Sequence, residues 1–353
     1  MNFIFLYCRP GFENECAAEI QDVAATLNIQ GYCKAKEKAS YASFHPHQPD
    51  DALQLIESLP FKKLIFTRQW FMAVNLISTL PVNDRVTPLL NTIKPHINSF
   101  KEIVYEHLDT NDGKALSALC KSFANPFNKA LVKNVNCKLT EKGAQRIHIC
   151  FLSSTAAAIG YSYINNSAPW PMGIPRLRLA KNAPSRSALK LDEAMLSFFS
   201  RDKVNSYFQS GMKAVDLGAA PGGWTWQLVK YNMYVTAIDN GPMNADLMDT
   251  GLVTHKKHDA FYYKPESTVD WMVCDIVDKP SKVANLMQTW LVNQWCKKTI
   301  FNLKLPMKKR YAEVTKILNE LNSALSEQNI KYSLICKQLY HDREEVTVFI
   351  ETL

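Results

Sequence analysis

Hydrophobic and polar positions change rhythm twice along the chain. Asn2 to Cys8 is a continuous apolar run that ends in a Pro10-Gly11 turn, and it predicts a strand. Cys16, Ile20, Val23 and Leu27 then recur at helical spacing. Ser40 to Phe44 and Lys63 to Phe66 read as further strands, and Pro49 to Ser58 as a second helix. A second unit is expected from about residue 66. In it Asp84 to Lys94 reads as a helix and Glu102 to Glu106 as a strand. Gly113 to Ala124 is a helix expected to stop before Pro126, and Arg146 to Phe151 and Ala156 to Ile164 are strands. Three prolines and two asparagines in NNSAPWPMGIP, residues 165–175, mark a boundary.

Beyond Asp192 the pattern becomes regular strand–helix alternation. Strands are expected at Lys213 to Leu217, Met233 to Ile238, Leu252 to His255, Asp270 to Cys274 and Thr299 to Leu303. Helices are expected at Trp226 to Tyr231, Ala284 to Cys296 and Tyr311 to Glu327. Tyr332 to Lys337 and Val346 to Ile350 close the chain as strands with no helix between them. The alternation predicts a parallel sheet with helices on both faces and an antiparallel final strand.

Composition narrows the class. The chain has 353 residues, 47% apolar and 21% charged, enough for two domains or more with sizeable cores. No stretch approaches the ~20 uncharged residues of a membrane span, and the N-terminus reads as a first strand and not as a signal peptide. Nine scattered cysteines without a C-x-x-C pair argue against a zinc site or a disulfide framework and for a cytoplasmic protein. His45 and His47 lack a third ligand, so no metal is expected. The net charge of +8 is mild, but it is concentrated. Residues 171–190 carry five basic groups and residues 304–310 four, with no acid in either stretch. Both flank the motifs described next, which favours a nucleic-acid surface over two solvated charge runs.

Ala214 to Leu228, AVDLGAAPGGWTWQL, carries the most chemistry. An apolar strand enters Asp216-Leu217-Gly218, a Pro-Gly-Gly turn follows, then a helix. Glycines there let a ligand approach the backbone beyond the strand ends, and the G-x-x-x-G-G spacing is not that of a dinucleotide fold. Asp239, Asp259 and Asp275 end or follow the next three strands. Asp239 is placed for ribose hydroxyls and Asp259, with Phe261 nearby, for an adenine amino group. Together the three carboxylates read as a pocket for S-adenosylmethionine.

These strings resemble the Rossmann-like class I methyltransferases, and more closely the ribose 2′-O-methyltransferases of the FtsJ type. Over 171–353 the likeness rests on SRSALKL (185–191), DLGAAPGGW (216–224), Cys274-Asp275, FNLKLP (301–306) and REEV (343–346). The resemblance implies a lysine–aspartate–lysine–glutamate tetrad at Lys190, Asp275, Lys304 and Glu345, the glutamate being the one that opens the last strand and not Glu344. It implies cofactor contacts from Ser187, Ala220, Pro221, Gly222, Gly223, Asp239, Asp259 and Asp275. The opening LYCRPGFENECAAEI is similar to the ferredoxin-like and THUMP modules of RNA-modifying enzymes. The combination resembles the RlmM group of bacterial 23S rRNA ribose methyltransferases, as do PMGIPR, DNGPM, LPMKKRY and LYHDREEVTV. The implied fold is a Rossmann-like α/β domain at 171–353 after an α+β ferredoxin-like subdomain at 1–65 and a THUMP-like RNA-binding domain at 66–165. The implied activity is methylation of a cytidine 2′-hydroxyl in 23S rRNA, or in a large-subunit precursor, by a monomer.

The residues suit that chemistry. A sulfonium methyl needs no metal, but the hydroxyl must be aligned and deprotonated. Lys304 is expected to accept the proton, its pKa lowered by a second lysine nearby. Lys190 is expected to orient the hydroxyl, with Asp275 and Glu345 positioning both lysines. The Asn/Asp-Pro-Pro-aromatic motif of adenine amino methylation and the Pro-Cys of pyrimidine C5 methylation are both missing, and Cys274 reads as a buried strand cysteine. The competing reading is an RNA-binding assembly protein with a non-catalytic methyltransferase fold, which the intact tetrad opposes. A small-molecule O-methyltransferase would need neither the N-terminal half nor the basic flanks.

Overall fold

The computed structural model describes residues 2–97, 99–134, 138–139, 144–199 and 202–353. The chain divides into two compact units, Met1–Ile174 and Pro175–Leu353.

The first unit contains β1 (Phe3–Tyr7), α1 (Glu13–Thr26), β2 (Gly31–Ala35), β3 (Tyr41–Pro46), α2 (Asp51–Ser58), β4 (Gln69–Ile77), α3 (Val86–Ile93), β5 (Ser99–Phe100), β6 (Glu102–His107), α4 (Asn111–Ala115), α5 (Ser117–Asn134), β7 (Lys138–Leu139), β8 (Gln145–Ser153) and β9 (Ala156–Tyr163). Seven strands form one sheet in the order β2-β3-β1-β4-β9-β8-β6. Strands from both expected subdomains therefore share one sheet, joined by the antiparallel β1–β4 pair.

Two expected elements of this unit differ. Lys63 to Phe66 is not a strand; a short 3-10 turn occupies Phe61–Lys63 and the strand begins at Gln69. The buried Glu19 carboxylate accepts the backbone N–H groups of Ile65 and Phe66 (3.0 Å for Phe66), which takes donors a strand would need. The helix expected to end before Pro126 instead runs through it, as α5. A proline inside a helix costs ~3 kcal/mol. Burying Phe123 and Phe127, which pack on Tyr105 and, from Phe123, on Phe151, offsets that at ~1.5–3 kcal/mol each. The preceding break falls at α4, whose N-cap Thr110 accepts from Gly113 N at 3.0 Å. A Cβ at Gly113 would lie 2.1 Å from the Leu108 carbonyl oxygen, so only glycine fits.

The second unit contains α6 (Ala188–Phe198), α7 (Val204–Tyr207), β10 (Lys213–Leu217), α8 (Gly223–Val229), β11 (Tyr234–Ile238), α9 (Ala245–Met248), β12 (Val253–Lys256), β13 (Val269–Cys274), α10 (Pro280–Val292), β14 (Cys296–Lys304), α11 (Arg310–Glu327), β15 (Tyr332–Lys337) and β16 (Glu345–Thr352). Its seven-stranded sheet has the order β12-β11-β10-β13-β14-β16-β15. β10 to β14 are mutually parallel, and β16 runs antiparallel to both β14 and β15. This is the parallel sheet with an antiparallel last strand expected from the alternation, and the Rossmann-like methyltransferase arrangement that the resemblance implies. The helix placed at 284–296 is shifted: α10 starts at Pro280 and ends at Val292, because a turn with Gln294 at φ 54° feeds β14 from Cys296. The helix after the glycine turn likewise begins at Gly223, three residues early. Trp271 anchors the core, stacked on Phe208 at 4.4 Å and packed against Phe199 and Phe349.

The strand order reverses between β10 and β13: β11 and β12 extend to one side and β14 to the other. That switch point opens a crevice beyond the C-terminal strand ends, where ligands bind in open α/β sheets. Asp216 and Asp275 sit at that edge.

Candidate active site

The glycine turn is built for close approach. Gly218 and Gly222 have φ of +77° and +113°, in the region that favours glycine. A Cβ on Gly218 would come within 2.6 Å of the Ile276 side chain, and one on Gly222 within 2.5 Å of Leu247. At Gly223 a Cβ would meet the Ser187 hydroxyl at 2.2 Å. Ser187 Oγ in turn lies 2.7 Å from Ser185 Oγ, so the 185–187 segment packs directly on the turn.

Asp239 closes the turn from the other side. Its Oδ2 accepts the Ala220 N–H at 2.9 Å and its Oδ1 the Gly241 N–H at 2.8 Å. The carboxylate thus holds the loop, and each oxygen keeps a lone pair for a ligand hydroxyl. Asp259 is exposed and accepts the Phe261 N–H at 2.9 Å, and the Lys282 ammonium lies 3.8 Å above the Phe261 ring. Ala220 and Pro221 form the tip of the turn.

Asp216 carries the strongest ligand signal, and sequence reasoning passed over it as a site residue. It is 1% exposed and accepts the Thr225 hydroxyl at 2.6 Å through Oδ2, while its Oδ1 has no hydrogen-bond partner. Burial, with added repulsion from Asp275 and Asp239, pushes its carboxyl up to about 7. A buried, half-satisfied carboxyl is costly unless a donor or cation meets it. The available signal was its position: an acid at the last buried turn of a strand, two residues before an obligatory glycine. S-adenosylmethionine, a cation with ribose hydroxyls, fits this set of acceptors and the glycine cradle.

The tetrad residues converge at the same edge. Lys190, on the first turn of α6, places Nζ 2.9 Å and 3.2 Å from the two oxygens of Asp275 and 2.6 Å from Glu345 Oε2. All three side chains are 14–17% exposed. Glu344 points elsewhere, to Arg310 at 2.7 Å. Lys304 ends β14 directly opposite Glu345 in the antiparallel register and is exposed. Among the described residues no acid pairs with its ammonium. Both acids therefore hold Lys190, where both lysines were expected to share them.

The electrostatics separate the two lysines further. Burial works against the charge on Lys190, but Asp275 and Glu345 outweigh it and raise the lysine above its ordinary value. The expectation that the lysines depress one another does not hold for Lys190. It stays a cation and a donor, unsuited to taking a proton. Cys274 is fully buried, its thiol pushed up to about 12, so it remains a neutral strand residue. In the basic stretches Arg176, Arg178, Lys181, Arg186, Lys308 and Lys309 are exposed, whereas Arg310 is engaged by Glu344.

Three family models match the chain: the RlmM ferredoxin-like domain over residues 1–71, the N-terminal region of ribosomal RNA large subunit methyltransferase M over 84–163, and the FtsJ-like methyltransferase over 183–339. Among the relatives, ribosomal RNA large subunit methyltransferase M of Cellvibrio japonicus is 51% identical over 350 residues, covering 99% of both chains. The Klebsiella pneumoniae protein of that name is 48% identical over 356 residues, covering 100% of this chain and 97% of its own, and that of Cronobacter sakazakii is 49% identical over 353 residues, covering 99% and 96%. The switch-point crevice, the glycine cradle and these full-length similarities agree: the chain belongs to the ribosomal RNA large subunit methyltransferase M family, and its second unit carries an FtsJ-like, S-adenosylmethionine-dependent methyltransferase domain.

Proposed function

We propose that the protein methylates the 2′-hydroxyl of a cytidine in 23S ribosomal RNA, with Lys304 as proton acceptor. The observation that carries this reading is the ion-pair cluster of Lys190 with Asp275 and Glu345, with Lys304 opposite Glu345 at the switch-point edge. When bound, S-adenosylmethionine supplies an activated methyl group.

The chain's own residues supply alignment and proton transfer. Lys190, kept charged by two carboxylates, donates a hydrogen bond to the ribose oxygen and orients it in line. Lys304, free of an acid among the described residues, removes the hydroxyl proton in its neutral form. Ser187, Ala220 to Gly223, Asp239, Asp259 and Asp275 line the cofactor side. The exposed basic side chains at 176–186 and 308–309 suit phosphate contacts. Residues 66–165 act as a THUMP-like RNA-binding domain after the ferredoxin-like subdomain at 1–65, and the enzyme works as a cytoplasmic monomer. Radiolabelled S-adenosylmethionine and deproteinised 23S rRNA test the reading. Label retained on rRNA and recovered as 2′-O-methylcytidine supports it, and label on a base or on no nucleotide overturns it.

A further inference from the structure

We propose that Asn302 and Thr347 form a cross-strand latch that positions Asp275, and through it Lys190, for methyl transfer. The proposal rests on the tetrad reading above. Asn302 on β14 and Thr347 on β16 are register partners, as are Lys304 and Glu345 two residues further on. Side chains two apart on a strand share a face, so the Asn302–Thr347 pair sits one rung below the Lys304–Glu345 pair. The pair is buried, at 2% and 0% exposure. Asn302 Nδ2 donates to Asp275 Oδ1 at 2.8 Å, the oxygen that also accepts from Lys190 at 2.9 Å.

An asparagine amide could turn either end toward Asp275, and its oxygen there would repel the carboxylate. Thr347 decides the orientation. Its hydroxyl lies 2.8 Å from Asn302 Oδ1 and 2.9 Å from Asp342 Oδ2, and it has one hydrogen to give. Asp342 is fully buried, and burial, together with Glu193 and Glu345, holds its carboxyl well above the carboxylate range. Thr347 is thus the donor that Asn302 Oδ1 and Asp342 Oδ2 share, and Asp342 Oδ2 also accepts the Leu339 N–H at 3.0 Å. The amide N–H groups must then face Asp275. Asn302 Nδ2 and Lys190 Nζ therefore both donate to Asp275 Oδ1, and the contacts from β14 and α6 converge on that one oxygen.

Asp275 is faced by Lys190 from α6, Glu345 from β16, Asp216 from β10 and the Cys274 thiol beside it. Burial raises its carboxyl, while Lys190 and the Asn302 amide pull it down. Losing the latch should therefore raise the acid at which Asp275 loses its charge.

The test is single-turnover methylation of 23S rRNA by full-length Thr347→Val, Thr347→Ser and Asn302→Asp, across pH, with Lys304→Ala as reference. Thr347→Val should lower the rate at saturating RNA and cofactor by ~10²-fold, the scale of a small misplacement in a positioned site. It should leave the apparent RNA affinity unchanged and move the acid limb of the rate profile to higher pH. Thr347→Ser, which keeps the hydroxyl, should restore the rate and the limb. Asn302→Asp retains shape but sets two carboxylates 2.8 Å apart, so its limb should move further in the same direction. A slow Thr347→Val enzyme with an unmoved limb, or one not rescued by serine, would assign the pair a purely structural role and overturn the proposal. So would an Asn302→Asp enzyme with the wild-type profile. An active Lys304→Ala enzyme would instead overturn the tetrad reading itself.

Discussion

Lys304 and Glu345 face each other across the β14–β16 register, yet the Glu345 carboxylate lies 2.6 Å from Lys190. One lysine of the pair is thereby fixed as a cation, and the other is left without an acid among the described residues. The β16 register and the first turn of α6 together give two side chains of the same type different surroundings.

Removing Lys190 strands two partly buried carboxylates. Lys190→Ala should cost about 3 kcal/mol of stability, the lower end for breaking a buried pair, since the groups are 14–17% exposed. Without the lysine the Asp275 carboxyl, already raised by burial, titrates at higher pH in the folded state. The loss should therefore be larger at pH 8 than near pH 4, where that carboxyl is protonated. Denaturant unfolding at the two pH values measures this, and an equal loss at both would contradict it.

Asp216 gives a second pH signature. Its folded value of about 7 lies above the ~3.9 of an unfolded aspartate. A raised acid makes the folded state hold its proton longer, so stability falls as pH rises from about 4 to about 7 and levels off above. The total is up to about 4 kcal/mol at ~1.4 kcal/mol per unit. Asp216→Asn should flatten that slope and raise Tm at pH 8 more than at pH 4. It should also weaken S-adenosylmethionine binding and abolish any gain in affinity between pH 6 and pH 8. Calorimetry at several pH values reads both effects.

Asp239 has two jobs, because its oxygens already hold the Ala220 and Gly241 N–H groups. Asp239→Ala should weaken cofactor binding by ~1–3 kcal/mol, the cost of unpaired donors. Asp239→Asn keeps one acceptor and should fall between that variant and wild type. An unchanged affinity in the alanine variant would remove Asp239 from the site.

Residues 175–353 form a compact unit with their own sheet. That fragment should bind S-adenosylmethionine with near-native affinity but methylate 23S rRNA at least tenfold more slowly at limiting RNA. Full activity in the fragment would exclude the first unit from RNA placement.

The alternating half of the chain was legible because parallel strands, turns and helices follow one another with local signals at each boundary. Gly31–Ala35 escaped because it is an edge strand with largely exposed side chains and no core-facing alternation. Gln69–Ile77 escaped for the opposite reason: six consecutive buried residues leave no alternation to detect. Lys63 to Phe66 misled because its donors are satisfied by Glu19, a contact 46 and 47 residues distant. The four tetrad candidates could be named from motif and order, but Asp216 could not, because its ligand signal is a buried oxygen without a partner. Which acid meets which lysine could not, because it depends on the antiparallel register of β16 and on the first turn of α6, an element the sequence pattern did not mark.

The most direct measurement is single-turnover methyl transfer to 23S rRNA by Lys304→Ala, with S-adenosylmethionine affinity determined in parallel. The account predicts a rate loss of ~10²–10⁴ with cofactor affinity within about twofold of wild type. Lys304→Arg should give no rescue, since arginine keeps its proton. Methyl transfer at the wild-type rate by Lys304→Ala would contradict the assignment of Lys304 as the proton acceptor.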